Sequence, residues 1–470
     1  MVSGQLGEAR LAYRATIDSA DPDRAPEAAC ALGLLEWKSG DLEQARHWWA
    51  MVVESGHPDF VPMAAVSLAV LEQQAGELAQ ARHWWAIAVE SGHRDYVAMA
   101  AVSLGVLEWM ADEVDCARRS WKIAIDSDHA DHGPMAAVNL GALELQAGEL
   151  DAARRWWQIA IESQHPAHAP RAAFDLGELE QLSGDLDQAR RWWTDAAESG
   201  HSDYSPLAAF NLGVLEQQGG SLEQARRWYG IAIENGHPEQ APRAAINFGA
   251  LEEQHGELQA ARRWWVVAFE SGHLDYAPVA AFNLGALERQ AGALDEARRW
   301  WELALVGVHP EEAPKAALSL GALEQEVGDL DAARRWYRIA VESGHPHHAA
   351  AAALTLGMLE SAVGELNEAR GWYRVAIESG NPSCVPAAAF ALGALDEASG
   401  ELDQARGWYR MAIESGDPDF APRAAGYLGV LEYEAGNSDA ARRSWQITVD
   451  SGHPDHAPIA ASNIEALDSD

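Results

Sequence analysis

Cysteine is nearly absent: Cys30, Cys116 and Cys384 are the only three in 470 residues, an odd number with no close pair. That excludes a disulfide framework and fits a reducing compartment. No apolar run approaches the roughly eighteen residues that a membrane-crossing helix needs. The opening stretch, Met1-Val2-Ser3-Gly4-Gln5-Leu6-Gly7-Glu8, has neither a basic leader nor an apolar core. Neither a membrane span nor a signal peptide is expected, and the expected location is the cytoplasm. Basic residues are scarce, with 34 Lys and Arg against 72 Asp and Glu, for a formal net charge of −38. A surface that acidic repels nucleic acid and anionic lipid, both of which bind through Lys and Arg, and it favours a basic protein partner. Also missing are a phosphate loop, a Cys-x-x-Cys pair, a His-Glu-x-x-His zinc motif and a nucleophile elbow. No catalytic residue, cofactor or metal is expected.

What the chain does have is repetition, which overrides any domain count taken from length. A turn glycine recurs every 36 residues from Gly40 to Gly436, with Asp112 the one exception. A second glycine recurs from Gly33 to Gly429, with Ala69 the one exception. Twelve repeats of 36 residues therefore fill positions 26–457 without insertion or deletion. Residues 1–25 read as a half repeat, a second helix only, and 458–470 as a capping helix. The two ends together would complete one repeat, which raises head-to-tail assembly. Glu465, where the other repeats carry the close-packing glycine, favours an exposed cap and a monomer.

Each repeat encodes two helices. Pro26 suits a helix start, where its missing N–H costs nothing. Ala28, Ala29, Leu32 and Leu35 follow at helical spacing, and Gly40 can take the positive φ of a helix stop. Asp41 is a plausible N-cap for a second stripe of Leu42, Ala45, Trp49 and Val52, and Gly56 and Pro58 close the repeat. Helices of about thirteen residues cannot each bury a face alone, so the repeats must stack. Small residues at 28, 29, 33 and 45 face the aromatic at 49 and its equivalents, Trp in eight repeats and Tyr in four. Large knobs against small holes is a core pattern.

Leu32-Gly33, Gly40, Ala45, Trp49 and Val52 together resemble the tetratricopeptide repeat. The run Ala153-Arg154-Arg155-Trp156-Trp157-Gln158-Ile159-Ala160, followed by Ser-Gln-His, is similar to its Sel-like subclass, although the usual glycine-rich insertion is missing. The resemblance implies an all-α fold, a right-handed α-α superhelical solenoid of tetratricopeptide-type helix pairs. It also implies a scaffold or adaptor that holds a peptide or partner protein in a groove lined by the first helix of each repeat.

Three polar columns run through the repeats. An acid at 36 and an arginine at 46 are present in all twelve, which reads as a structural ion pair repeated down the stack. Histidine recurs at ten of the equivalents of His57, where a helix C-terminal role toward unpaired carbonyls is expected rather than metal binding. The third column precedes the Leu-Gly pair and contains Asn139, Asn211, Asn247 and Asn283. In carboxylate-clamp members of the family an Asn here holds a partner's C-terminus or backbone, with basic residues nearby. Arg171, Arg243 and Lys315, just after the repeat proline, would supply them. Gln146, Gln218 and Gln254 extend the same face. These ten residues form the expected partner-binding groove. The alternative is an acidic decoy that mimics DNA and occupies a DNA-binding protein.

Overall fold

The computed structural model describes residues 2–306 and 309–468. Among them every regular element is a helix, 26 in all, from Val2–Asp18 to Ala457–Leu467. The chain divides into two compact units, Met1–Gln240 and Ala241–Asp470. Within each unit, successive helices pack on one another in chain order, which makes each unit a run of stacked helix pairs and the fold an all-α repeat solenoid.

Local chemistry sets the helix ends. In the first repeat, helix Arg24–Ser39 stops at Gly40, whose φ of 86° lets the chain turn back so that the Asp41 N–H reaches the Glu36 carbonyl at 3.0 Å. Asp41 then caps helix Leu42–Ser55, its carboxylate accepting from the Gln44 N–H at 3.1 Å. Asp112, in place of the turn glycine, takes the same left-handed conformation at φ 63°. Helix Leu294–Leu305 ends on Val306 with extended backbone, where other repeats continue helical. Gly307 and Val308, the rest of that departure from the repeat pattern, lie outside the described residues.

The core is a series of apolar clusters, most of them drawn from three successive helices. A representative cluster joins Ala137 and Val138, then Ala153, Trp157 and Ala160, then Ala172, Leu176 and Leu179. The glycine of the Leu-Gly pair makes this packing possible. A Cβ on Gly141 would lie 2.4 Å from Trp157 Nε1, so the indole occupies the space that a side chain would need. The Trp157 N–H donates to the Val138 carbonyl at 3.3 Å. Where Tyr337 replaces Trp, its hydroxyl donates to Gln325 instead, at 2.9 Å.

The charged columns clasp neighbouring repeats. Arg154, on one repeat's second helix, donates through Nε and a terminal nitrogen to Glu180 on the next repeat's first helix, at 2.8 and 3.0 Å. The same two-pronged contact joins Arg118 to Glu144 and, in the C-terminal unit, Arg334 to Glu360. The carboxylates are buried and hold the Arg154 and Arg334 guanidiniums above their ordinary pKa, chiefly through these hydrogen bonds. Arg82 departs from the pattern. Ser120, where most repeats have Trp, donates to Glu108 at 2.6 Å, and Arg82 turns to Glu113 at 2.9 Å.

Candidate partner-binding faces

One face of each first helix is left out of the core. On helix His168–Ser183, Ala172, Ala173, Leu176, Gly177 and Leu179 are buried. Arg171, Asp175, Glu178 and Leu182, spaced by four, three and four, share the other side and remain half-buried or exposed. In the N-terminal unit three of the ten expected groove residues meet. Asn139, Gln146 and Arg171 line one cleft of about 180 Å³ together with Val106, Trp109 and Leu143. The Trp109 N–H lies 3.4 Å from the Gln146 side-chain oxygen, and the ring is 46% exposed.

Asn211 lies one repeat further on, its side chain beside Glu178. Arg171 holds its Nε 3.8 Å from Asp175 Oδ2. Burial pushes the Asp175 carboxyl up to about 6, against the opposing pull of Arg171, and Glu178 adds to the rise. Burial raises Glu178 as well, offset in part by the Asn211 hydrogen bond. Gln218, at the last turn of helix Tyr204–Gln218, is exposed.

The C-terminal unit carries the other five. Arg243, Asn247 and Gln254 follow one another at spacings of four and seven on helix Gln240–Gln254, which places them on one face. Asn283 is half-buried on helix Tyr276–Gln290. Lys315 sits 3.9 Å from the centre of the Phe282 ring, a cation–π contact, with Glu312 Oε2 at 3.4 Å.

Trp109, Asp175 and Glu178 are functional candidates that reading the Asn column alone passes over. For the two acids the signal is a break in a column, Asp175 standing where neighbouring repeats have Asn and Glu178 where they have Ala or Val, whereas the position of Trp109 varies, with Trp37, Gln73 and Leu145 among its equivalents.

The histidine column requires a correction. The rings do not serve carbonyls at the end of the preceding helix; they cap the start of the following one. His165 Nδ1 accepts from the backbone N–H groups of Ala167 at 3.2 Å and His168 at 3.3 Å, and the same contacts recur at His129, His309 and His453. Where histidine is replaced, an Asx oxygen does the same work: Asp417 Oδ1 accepts from Asp419 at 3.0 Å and Phe420 at 2.8 Å. The reason is positional, since the ring follows the glycine stop and already faces the next helix's unpaired donors.

Glu311, His345 and His348 bring ligand-type atoms within 4.8 Å of one another. His345 Nδ1 accepts from the His347 and His348 N–H groups at 3.3 and 3.2 Å, so the neutral ring carries its proton on Nε2 and donates it to Glu311 at 2.9 Å. His165 with Asp131 and His453 with Asp419 repeat that contact. The cluster is therefore the repeat's ordinary cap, with an acid long enough to approach a second ring. Burial pushes the Cys30 thiol up to about 12, which leaves it a poor nucleophile.

Two tetratricopeptide-repeat family models match residues 1–56 and 318–383, and 134–158 and 170–193. A Sel1-repeat model matches 206–237 and 386–417. No curated protein sequence matches the chain. Among solved structures, the chain is similar to c5321, a protective antigen present in uropathogenic Escherichia coli strains and displaying an SLR fold, at 19% identity and a TM-score of 0.46, covering 98% of this chain and 97% of that one. It is similar to a Sel1 repeat protein from Oxalobacter formigenes at 21% identity and a TM-score of 0.46, covering 66% of this chain and 90% of that one. Yeast Tom70 overlaps at 13% identity and a TM-score of 0.35, covering 96% of each chain. Likeness at this level says nothing about function. The family models agree with the glycine, arginine and aromatic columns: the chain carries tetratricopeptide-type and Sel1-type repeats.

Proposed function

We propose that the chain is a protein-interaction scaffold that holds an extended peptide or a partner helix on the uncovered faces of its first helices. Scaffolding is the general role of this repeat family. The observation that carries the reading is the cleft where Asn139, Gln146 and Arg171 converge beside an exposed tryptophan. Amide and guanidinium groups can hydrogen-bond a peptide backbone, and Trp109 offers an apolar anchor of the kind that dominates interface energetics. In the C-terminal unit, Arg243, Asn247, Gln254, Asn283 and Lys315 form a second, more cationic set.

The acidic-decoy reading draws less support, because the column from Glu72 to Glu432 is largely buried and much of it is matched by arginine. Among the described residues no helix is long and apolar enough to cross a membrane.

Selection of a random-peptide display library on the full chain tests the proposal. Enriched sequences should bind the wild type and lose at least tenfold in affinity to Asn139→Ala/Gln146→Ala. Equal binding to both proteins would rule this cleft out.

A further inference from the structure

We propose that the groove face of the N-terminal unit receives a basic side chain of the partner, an arginine or lysine, between Asp175 and Glu178, with Trp109 and Leu182 contacting the apolar residues beside it. The inference rests on the scaffold reading above and narrows the partner to a basic, partly apolar peptide.

The repeat itself makes these two acids conspicuous. At the position of Asp175 the other repeats carry Asn, Ser, Thr, Ala or Tyr, and no second acid. At the position of Glu178 every other repeat carries Ala, Val, Leu or Met. The packing therefore requires neither carboxylate. Both departures fall on helix His168–Ser183, three residues apart and so on one face. That face is the one uncovered by the core, and it adjoins the cleft of Asn139 and Gln146 through Arg171.

Charge balance names the guest. Arg171 lies 3.8 Å from Asp175, and the Asn211 amide adjoins Glu178. The positions equivalent to Arg171 in the flanking repeats are Met135 and Leu207, which contribute no cation. Two carboxylates against one guanidinium leave a net negative charge on a half-buried surface, where a guanidinium or ammonium would be welcome and a partner's terminal carboxylate repelled. The C-terminal unit lacks such a pair: Ala250 and Ala286 stand at the equivalents of Glu178, Asn247 and Asn283 at those of Asp175, and Lys315 already has Glu312 at 3.4 Å. Apolar anchors flank the pair in the N-terminal unit. Leu182, one turn beyond Glu178, is 80% exposed, and Trp109 lies across the cleft. The raised carboxyl of Asp175 is consistent with a group waiting for a counter-charge.

The test runs the display selection in parallel on wild type and on Asp175→Asn/Glu178→Gln, at about 0.15 M salt so that the long-range field of the acidic chain is screened. Both substitutions keep side-chain shape and remove charge, and circular dichroism checks that the variant folds. Wild type should enrich Arg or Lys at one fixed position next to an apolar residue, and the variant should not. A selected fluorescent peptide should bind the variant at least tenfold more weakly, and its Arg→Gln analogue should bind both proteins alike. Equal basic enrichment on both proteins, or selected peptides without it, would overturn the inference and leave the scaffold reading standing. Failure to select any peptide on either protein would overturn both.

Discussion

Asp175 should make the protein less stable than it need be. Its carboxyl lies at about 6 in the folded protein against 3.8 for an ordinary Asp, with burial the main cause and Arg171 opposing. The side chain is 24% exposed, so solvent screening removes only part of the effect. The displacement is worth about 3 kcal/mol at 1.36 kcal/mol per pKa unit. Its sign follows from proton binding. Between about pH 4 and 6 the folded carboxyl holds a proton that the unfolded one has released, so stability falls as pH rises through that window and stays low above it. The groups facing Asp175 are Arg171 and Glu178 on its own helix and Tyr204 on the next first helix. Asp175→Asn imitates the protonated form. At pH 7.5 it should be more stable than wild type by at most about 3 kcal/mol, and at pH 3.5 the two should coincide. Urea titrations at both pH values, followed by tryptophan fluorescence, give the comparison. A variant less stable than wild type at pH 7.5, or one displaced equally at both pH values, would refute the reasoning. Loss of a stabilising Arg171 ion pair would then be the dominant effect.

Three further outcomes follow from the packing. Gly141→Ala places a Cβ 2.4 Å from the Trp157 ring and should cost about 2–3 kcal/mol, read as a lowered urea midpoint. His165→Ala removes the acceptor for two backbone N–H groups and should cost about 1 kcal/mol, whereas His165→Asn should recover most of it, as Asn381 does naturally toward Ser383. Arg154→Ala leaves Glu180 buried without its cation and should cost about 3 kcal/mol. Replacing both, Arg154→Met with Glu180→Leu, should restore stability, since a buried ion pair sets register more than it stabilises. Thermal unfolding of the single and double variants measures that recovery.

The fold was largely legible because a 36-residue period multiplies every weak local signal. Gly40 as a helix stop, Asp41 as a cap, Trp49 against Gly33 and Arg46 toward an acid could be read before any coordinates. The histidine column was misassigned because sequence places a residue between two helices without saying which one its ring faces. The site was legible only in part. Asn139, Gln146 and Arg171 converge, but Lys315 is engaged with Phe282, a contact that depends on side-chain direction and not on spacing. Asp175 and Glu178 were passed over because attention to what recurs hides what differs. In a repeat protein the positions that break a column without serving the core are the better guide to binding.

The central claim is that partners bind on the uncovered first-helix face. The most direct test places a photo-crosslinking benzoylphenylalanine at Gln146, in the cleft, and in a second protein at Gln158, exposed on the second helix Leu150–Glu162. Both are irradiated with a peptide obtained from the display selection. Crosslinking from position 146 and not from 158 is the predicted result. Crosslinking from 158 alone, or equally from both, would contradict the account.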